Sequence, residues 1–307
     1  MSQRDVKQRI SSIGNIKKIT RAMEMVAAAR LRKAEERIAV LRPYADAVSD
    51  MTRHAALAAS TAERKAFPLL QGRDEIKTVG ILLITGDRGL AGAFNSQIVR
   101  AAVALAKKLE AEGKTVKIYA TGRRGVSAMN FRGRTPEAGF TGFTDNPKYA
   151  DAREVAETLA AGYLDGKVDQ VEILYNRFVS ALTQEVAQTT LLPLQADPVA
   201  EALAKEEAAK LEKTAAGSGT AGHALVEYEP GPQEILERLI PDYVEITLFR
   251  SLLESAASEH GARMTAMRNA SENAGELITS LTLEMNRARQ AEITQEIMEV
   301  VAGAEAL

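Results

Sequence analysis

The chain has 307 residues, 46% hydrophobic and 26% charged, with a net charge of −2; this excludes wholesale disorder and argues against the whole molecule binding polyanions. It contains no Cys, and its three His (His54, His223, His260) are far apart, so disulfides, thiol switches and zinc sites are not expected. The longest clean apolar run is VGILLI and residues 1 to 20 have no apolar core, so neither a membrane span of roughly 20 residues nor a secretory signal is expected, and any membrane association is expected to be peripheral.

In chain order, residues 1–66 are rich in Ala, Arg, Lys, Glu and Met, with only Gly14 and Pro43 against a helix. They predict one very long helix, with Pro43 as the place for a bend. Residues 76–195 predict a small Rossmann-like α/β domain. TVGILLIT (78–85), TVKIYA (115–120) and VDQVEILYN (168–176) read as strands, with helices near 95–112 and 150–165 between them. FVSALTQEVAQTTLLPL (178–194) offers another strand at the sheet edge. Residues 196–232 contain a charged piece and a Gly/Ser tract and read as a linker. Residues 233–307 predict a second long helix; its proline-free run from Asp242 to Gly303 would be about 90 Å long at 1.5 Å per residue. Average helices are far shorter, so the two are expected to pair as a long antiparallel coiled coil into which the α/β domain is inserted.

On a helical wheel Ile16, Ile19, Met23, Val26, Ala34 and Leu41 fall in one strip about 80° wide. Arg30 falls on the strip too, so it must emerge from the seam or meet an acidic group. In the second helix Met267, Ala270, Ala274, Leu277 and Leu281 recur with the period of a left-handed coiled coil. Towards its end Gln290, Thr294, Ile297 and Val301 share an uncharged face, which suggests that something encloses it.

GDRGLAG (86–92) follows a strand and precedes a helix, where phosphate-binding loops occur. Its G-x-x-G-x-x-G spacing is neither the dinucleotide fingerprint nor a P-loop, and TVKIYATG ends without an acid for a ribose. A nucleotide-dependent enzyme on this domain is the alternative reading. A nucleic-acid partner is not expected: residues 1–43 carry no stacking aromatics and no helix-turn-helix or finger pattern.

Taken together, RISSIGNIKKITRAMEMVAAARLRKA, DRGLAGAFN, YEPGP and NRARQAEITQEIMEVVAGAEAL resemble, in that order and nearly end to end, the gamma subunits of F-type ATP synthases. The resemblance implies a non-catalytic subunit without cofactors: a rotor shaft standing inside three alpha and three beta subunits. Its foot rests on the epsilon subunit and the membrane rotor ring, on the cytoplasmic face of a bacterial inner membrane. It carries over contacts residue by residue. Met23, with Arg30, Arg32 and Lys33 as ionic neighbours, meets an acidic lever loop of a beta subunit, and Arg289 and Gln290 meet a beta-subunit catch loop. Thr294 and Glu299 lie in the upper bearing. Asp87, Arg88, Tyr228 and Glu229 belong with the foot, although Tyr228 and Glu229 read equally as a turn before a helix. Residues 1–42 hold eleven Lys or Arg against four Asp or Glu, a basic flank suited to such an acidic loop. Chloroplast relatives carry a regulatory cysteine pair; this chain has no Cys.

Overall fold

The computed structural model describes residues 3–58, 66–73, 75–194 and 231–305. Two helices dominate it: α1, Gln3–Ala58, and the last helix, Pro232–Glu305, of 74 residues. Between them lie β1 (Thr78–Ile84), α2 (Phe94–Ala111), β2 (Thr115–Thr121), α3 (Arg123–Phe131), β3 (Ala138–Phe140), α4 (Tyr149–Leu164), β4 (Gln170–Phe178) and β5 (Gln184–Leu192), so the last helix is α5. The expected strands and the edge strand are present. The short α3 and β3 carry too little periodicity to be read from sequence.

The five-stranded sheet has the order β3-β2-β1-β4-β5. Its first four strands are parallel and β5 is antiparallel at the edge. Successive side chains of a strand point to opposite faces. Ile81, Leu83, Ile118 and Leu174 therefore pack on Ile98, Val99 and Ala102 of α2 and Met129 of α3. Leu82, Ile84, Val171 and Ile173 pack on Val155 and Leu159 of α4. Leu236, Ile240, Val244, Leu248 and Leu252 of α5 belong to that same second core. The first turns of α5 are thus a wall of the domain, and the helix continues without a break into the shaft.

That arrangement explains why α5 begins at Pro232 and runs through Pro241, ahead of the proline-free stretch that starts at Asp242. A mid-helix proline costs roughly 3 kcal/mol. Burying the apolar side chains on both sides of it gains about 1.5–3 kcal/mol each, so burial wins. Pro232 heads the helix, where a missing N–H is an orphan anyway. Pro43 likewise sits inside α1, flanked by Ala45 and Val48, which pack on Ile246.

The two long helices run antiparallel. Lys17 Nζ lies 2.9 Å from where a Cβ on Gly275 would stand, and Arg268 Nε is 3.0 Å from Glu24 Oε1. Leu31 and Ala34 pack with Ala257. Carried on to Gln3, this pairing leaves the turns of α5 after Arg289 without a partner from α1, an overhang of about 24 Å at 1.5 Å per residue.

The seam of α1 is rotated from the one expected. Ile16, Ile19 and Val26 are more than half exposed, whereas Thr20, Glu24, Ala27, Leu31 and Ala34 are buried. The spacing of that buried set, four, three, four, three, is the heptad pattern. Two of its members are polar, which pulls a hydrophobicity-weighted wheel towards the neighbouring Ile and Val. Both are satisfied: Thr20 Oγ1 donates to the Lys17 carbonyl at 3.1 Å, and Glu24 accepts from Arg21 and Arg268. In α5, Met267, Ala274 and Leu281 are buried as expected, but Leu277 is 48% exposed and Ser271 is buried.

Candidate functional site

In an open α/β sheet ligands bind outside the carboxyl ends of the strands, where the strand order reverses. Here that point lies between β1 and β4, and α5 occupies it. Ser258 Oγ donates to the Asn176 carbonyl at the end of β4, at 2.9 Å. The Glu259 carboxylate lies against Gly86, so that a Cβ there would stand 2.7 Å from it. Burial pushes the Glu259 carboxyl up, with Arg263, its ion-pair partner, opposing.

The GDRGLAG loop is held from within. The Gly86 amide donates to Asn95 Oδ1 at 2.8 Å, and Asn95 Nδ2 donates to the Arg88 carbonyl at 3.2 Å. Burial alone would raise the Asp87 carboxyl. The amides of Arg123, Gly142 and Thr144 and the Thr144 hydroxyl outweigh burial and hold it below the ordinary range. The Gly86 and Asp87 amides are committed to Asn95 and Thr144, and the crevice beside the loop is filled by the Glu259 carboxylate.

Around the plug lies a cluster of charges that sequence reasoning did not assemble. Arg263 also donates to the Gly89 carbonyl at 3.3 Å and lies 3.5 Å from His260 Nδ1. His260 Nε2 is 3.1 Å from the Asp145 carbonyl. The neutral imidazole protonated on Nε2 satisfies both contacts. Burial lowers the His260 pKa, against the opposing pull of Asp145. The Asp145 carboxylate binds Arg30 and lies 3.4 Å from Arg88. Arg30 therefore meets an acidic group, one of the two outcomes its place on the wheel allowed.

Met23, half-buried, and Arg30 and Arg88 line one open cavity of about 750 Å³ between α1 and the GDRGLAG loop, with Ile19, Val26 and Leu90 as its apolar wall. Arg124 and Arg263 also face it, so the cavity is apolar and cationic at once. The structure thus brings Arg88 beside Met23 and Arg30, while the Asp87 side chain is only 6% exposed. Arg32 and Lys33 point to solvent.

Arg289, Gln290, Thr294 and Glu299 lie on the overhanging tip, where every residue from Arg289 to Ala302 is exposed. Thr294 Oγ1 donates to the Gln290 carbonyl at 2.8 Å, and Glu299 accepts from Gln295 at 3.0 Å. Beside them Ile293, Ile297, Met298, Val300 and Val301 are 46–72% exposed, an apolar load that a helix end in water does not favour. Tyr228 and Glu229 lie outside the described residues.

Asp145, Ser258, Glu259, His260 and Arg263 were missed. The i, i+4 spacing of Glu259 and Arg263 was a legible signal for an ion pair. Nothing local said that it would be buried against Gly86.

A family model described as ATP synthase matches residues 2–307. The ATP synthase gamma chain of Streptomyces coelicolor is 45% identical over 305 residues, covering 98% of this chain and 94% of that protein. That of Rubrobacter xylanophilus is 42% identical over 306 residues, covering 100% and 98%. Among solved structures, the chain is similar to one in the central stalk and c-ring of Tetrahymena thermophila mitochondrial ATP synthase, with a TM-score of 0.59 and 25% identity over 82% of this chain and 99% of that one. In fold it also matches a chain of the Euglena gracilis mitochondrial ATP synthase, with a TM-score of 0.65 and 19% identity over 99% and 94%.

Proposed function

The chain belongs to the ATP synthase gamma-chain family, and from that premise we propose that it is the central rotor shaft of the F1 sector. It is a non-catalytic subunit that couples rotation of the membrane rotor ring to conformational cycling of the catalytic beta subunits. The observation that carries this reading is the overhang of α5: a single helix with exposed Ile297, Met298 and Val300, projecting from a stiff pair built into an α/β domain. Such a tip requires a sleeve. A ring of three alpha and three beta subunits supplies one.

Coupling in this reading is differential contact energy. Each beta-subunit conformation binds one orientation of the shaft better than the others, so turning the shaft shifts the populations of those conformations. The asymmetry is present in the chain. Met23 and Arg30 of α1 line the cationic cavity, while Arg32 and Lys33 stand exposed on other sides of the same turns, and we place the acidic lever loop against this basic stretch. Arg289 and Gln290 meet the catch loop, and Thr294 and Glu299 run in the bearing. Contacts exchanged on every turn favour solvated ion pairs over buried ones. The foot, epsilon and the ring of c subunits dock on the α/β domain, with Tyr228 and Glu229 among the contacts. Among the described residues no helix is long and apolar enough to cross a membrane, and the subunit is placed peripherally, on the cytoplasmic face of a bacterial inner membrane.

The nucleotide-enzyme reading is not favoured, because Ser258 and Glu259 fill its crevice. The deciding experiment is co-expression with the alpha and beta subunits of the same source. A complex with one copy per three alpha–beta pairs, whose ATP hydrolysis depends on this chain, is the expected result. A monodisperse chain that ignores both partners and binds a nucleotide would overturn the reading.

A further inference from the structure

If the chain turns as a shaft, both of its long helices must turn with the α/β domain. For α5 this follows from continuity, since Leu236, Ile240 and Leu248 are domain core on the same helix that reaches the tip. For α1 the link is thinner: Ala55, near its C-terminal end, shares that core. Its seam against α5 is built largely of small side chains, Ala27, Ala34 and Ala45, crossed by the partly exposed ion pairs Glu24–Arg268 and Asp46–Arg250. Apolar contact of that kind is non-directional, so it resists separation of the helices far better than sliding of one along the other.

The loop between β3 and α4 adds directional contacts from the α/β domain itself to the middle of α1. The Asp145 carboxylate binds Arg30. One residue on, Asn146 Oδ1 accepts from Arg37 Nη1 at 2.5 Å, and the Pro147 carbonyl accepts from Arg37 Nη2 at 2.5 Å. Arg30 and Arg37 are seven residues apart, two turns of helix, and so lie on one side of α1. The same loop holds α5, because His260 Nε2 donates to the Asp145 carbonyl at 3.1 Å. Arg88, from the GDRGLAG loop, reaches the Asp145 carboxylate as well. Asp145 Oδ1 is buried without a hydrogen bond, so without Arg30 the carboxylate keeps the longer contact to Arg88, at 3.4 Å. Guanidinium groups with two fixed donors set direction as well as distance. Three consecutive residues thus join α1, α5 and the domain at one level of the shaft.

We propose that Asp145, Asn146 and Pro147 form a key that fixes α1 to the α/β domain against axial sliding and twist, with Asp145 as its positioning residue. Arg30 then serves torque transmission inside the chain, through Asp145, and is not free to pair with an acidic partner. The inference rests on the rotor reading for its purpose but not for its existence.

Two measurements separate these. In the isolated full chain carrying Asp145→Ala, amide exchange in α1 between residues 27 and 38 is expected to quicken about fivefold to tenfold, with α5 residues 236–252 unchanged. The double substitution Arg30→Asp with Asp145→Arg is expected to restore the slow exchange. Unchanged exchange in Asp145→Ala overturns the key, and so does quickening spread equally through the sheet, which marks general destabilisation. If Asp145→Ala does not fold, Arg37→Gln, which removes one grip on a partly exposed side chain, gives the same comparison. In the complex with alpha and beta subunits, torsional stiffness read from thermal fluctuation of a probe on the shaft is expected to fall by about a third in Asp145→Ala and to recover in the double variant. Normal stiffness with quickened exchange overturns the role in torque. A complex that fails to assemble even with the unaltered chain strikes at the rotor reading instead, and the exchange data still decide the key.

Discussion

Glu24 and Arg268 meet across the antiparallel helices at 3.0 Å, with Arg21 on the other oxygen of the same carboxylate at 2.8 Å. Glu24 occupies a seam position that an apolar residue would ordinarily fill, and it is 6% exposed. Arg268 is half exposed, so the pair is only partly desolvated. A double-mutant cycle with Glu24→Gln and Arg268→Gln should give a coupling of about 0.5–1 kcal/mol. Glu24→Leu should be neutral or stabilising, since it replaces a buried ion with packing. Loss of more than that in chemical denaturation of Glu24→Leu would mean the carboxylate does more than set register.

Two glycines of α5 and of the GDRGLAG loop should respond oppositely to alanine. At Gly275 the nearest group to a new Cβ is the flexible end of Lys17, which can move away. Gly275→Ala should therefore raise stability by about 0.5–1 kcal/mol through helix propensity. At Gly86 the neighbour is the buried Glu259 carboxylate at 2.7 Å. Gly86→Ala should cost about 1–3 kcal/mol by forcing α5 away from the switch point. Thermal unfolding of both variants checks the contrast.

The acid limb of stability should be set by carboxylates bound to backbone amides. Burial would raise Asp169, but the amides of Thr78 and Lys77 and the Arg73 guanidinium hold it below its ordinary value; Asp87 is held down in the same way. Depressed folded values mean stability that is present above the ordinary aspartate range, about pH 3.9, and lost as pH falls through the lower folded values. Asp87→Asn and Asp169→Asn should each lower stability at neutral pH and flatten its decline in acid. Denaturant midpoints between about pH 5 and pH 2 give the test, and a variant with an unchanged slope would remove that residue from the account.

At the tip, Arg289→Glu should reduce turnover of the assembled complex by about tenfold, equivalent to ~1.4 kcal/mol of barrier, while assembly stays near normal. Arg289 is exposed and makes no ion pair among the described residues, so folding has little reason to suffer. Equal loss of assembly and turnover would assign it a structural role.

Ile297→Glu tests the sleeve. The side chain is 57% exposed in the isolated chain, so its stability alone should barely change. Enclosed in an apolar bearing, the same carboxylate would lack a partner, and turnover or assembly of the complex should drop. A complex indifferent to the change would argue that the tip runs in water.

Much of this molecule is local and was readable as such. Long runs rich in helix formers and nearly free of Pro determined the two helices, and the alternation of β-rich runs with helical ones determined an α/β domain. The four motifs carried the family. Arg30 stood out by its position, because a guanidinium on an apolar strip must either emerge or meet an acid, and it is half exposed and does pair with one. The identity of that acid was not local: Asp145 lies 115 residues away, on a loop whose place follows only from sheet order. The seam shows the same limit. Thr20 and Glu24 look like surface residues until Arg268 arrives from the other end of the chain to satisfy one of them. The sequence by itself determined the two long helices, the longer elements of the α/β domain, the antiparallel pairing and the uncharged face of the tip, since these depend on periodicity and composition. Only the tertiary structure decided which face of α1 is buried, that α5 starts as a wall of the domain, and that Glu259 closes the crevice at Gly86. Each of those depends on burial summed over residues distant in sequence, and that sum outweighs local preferences, including that of Pro241.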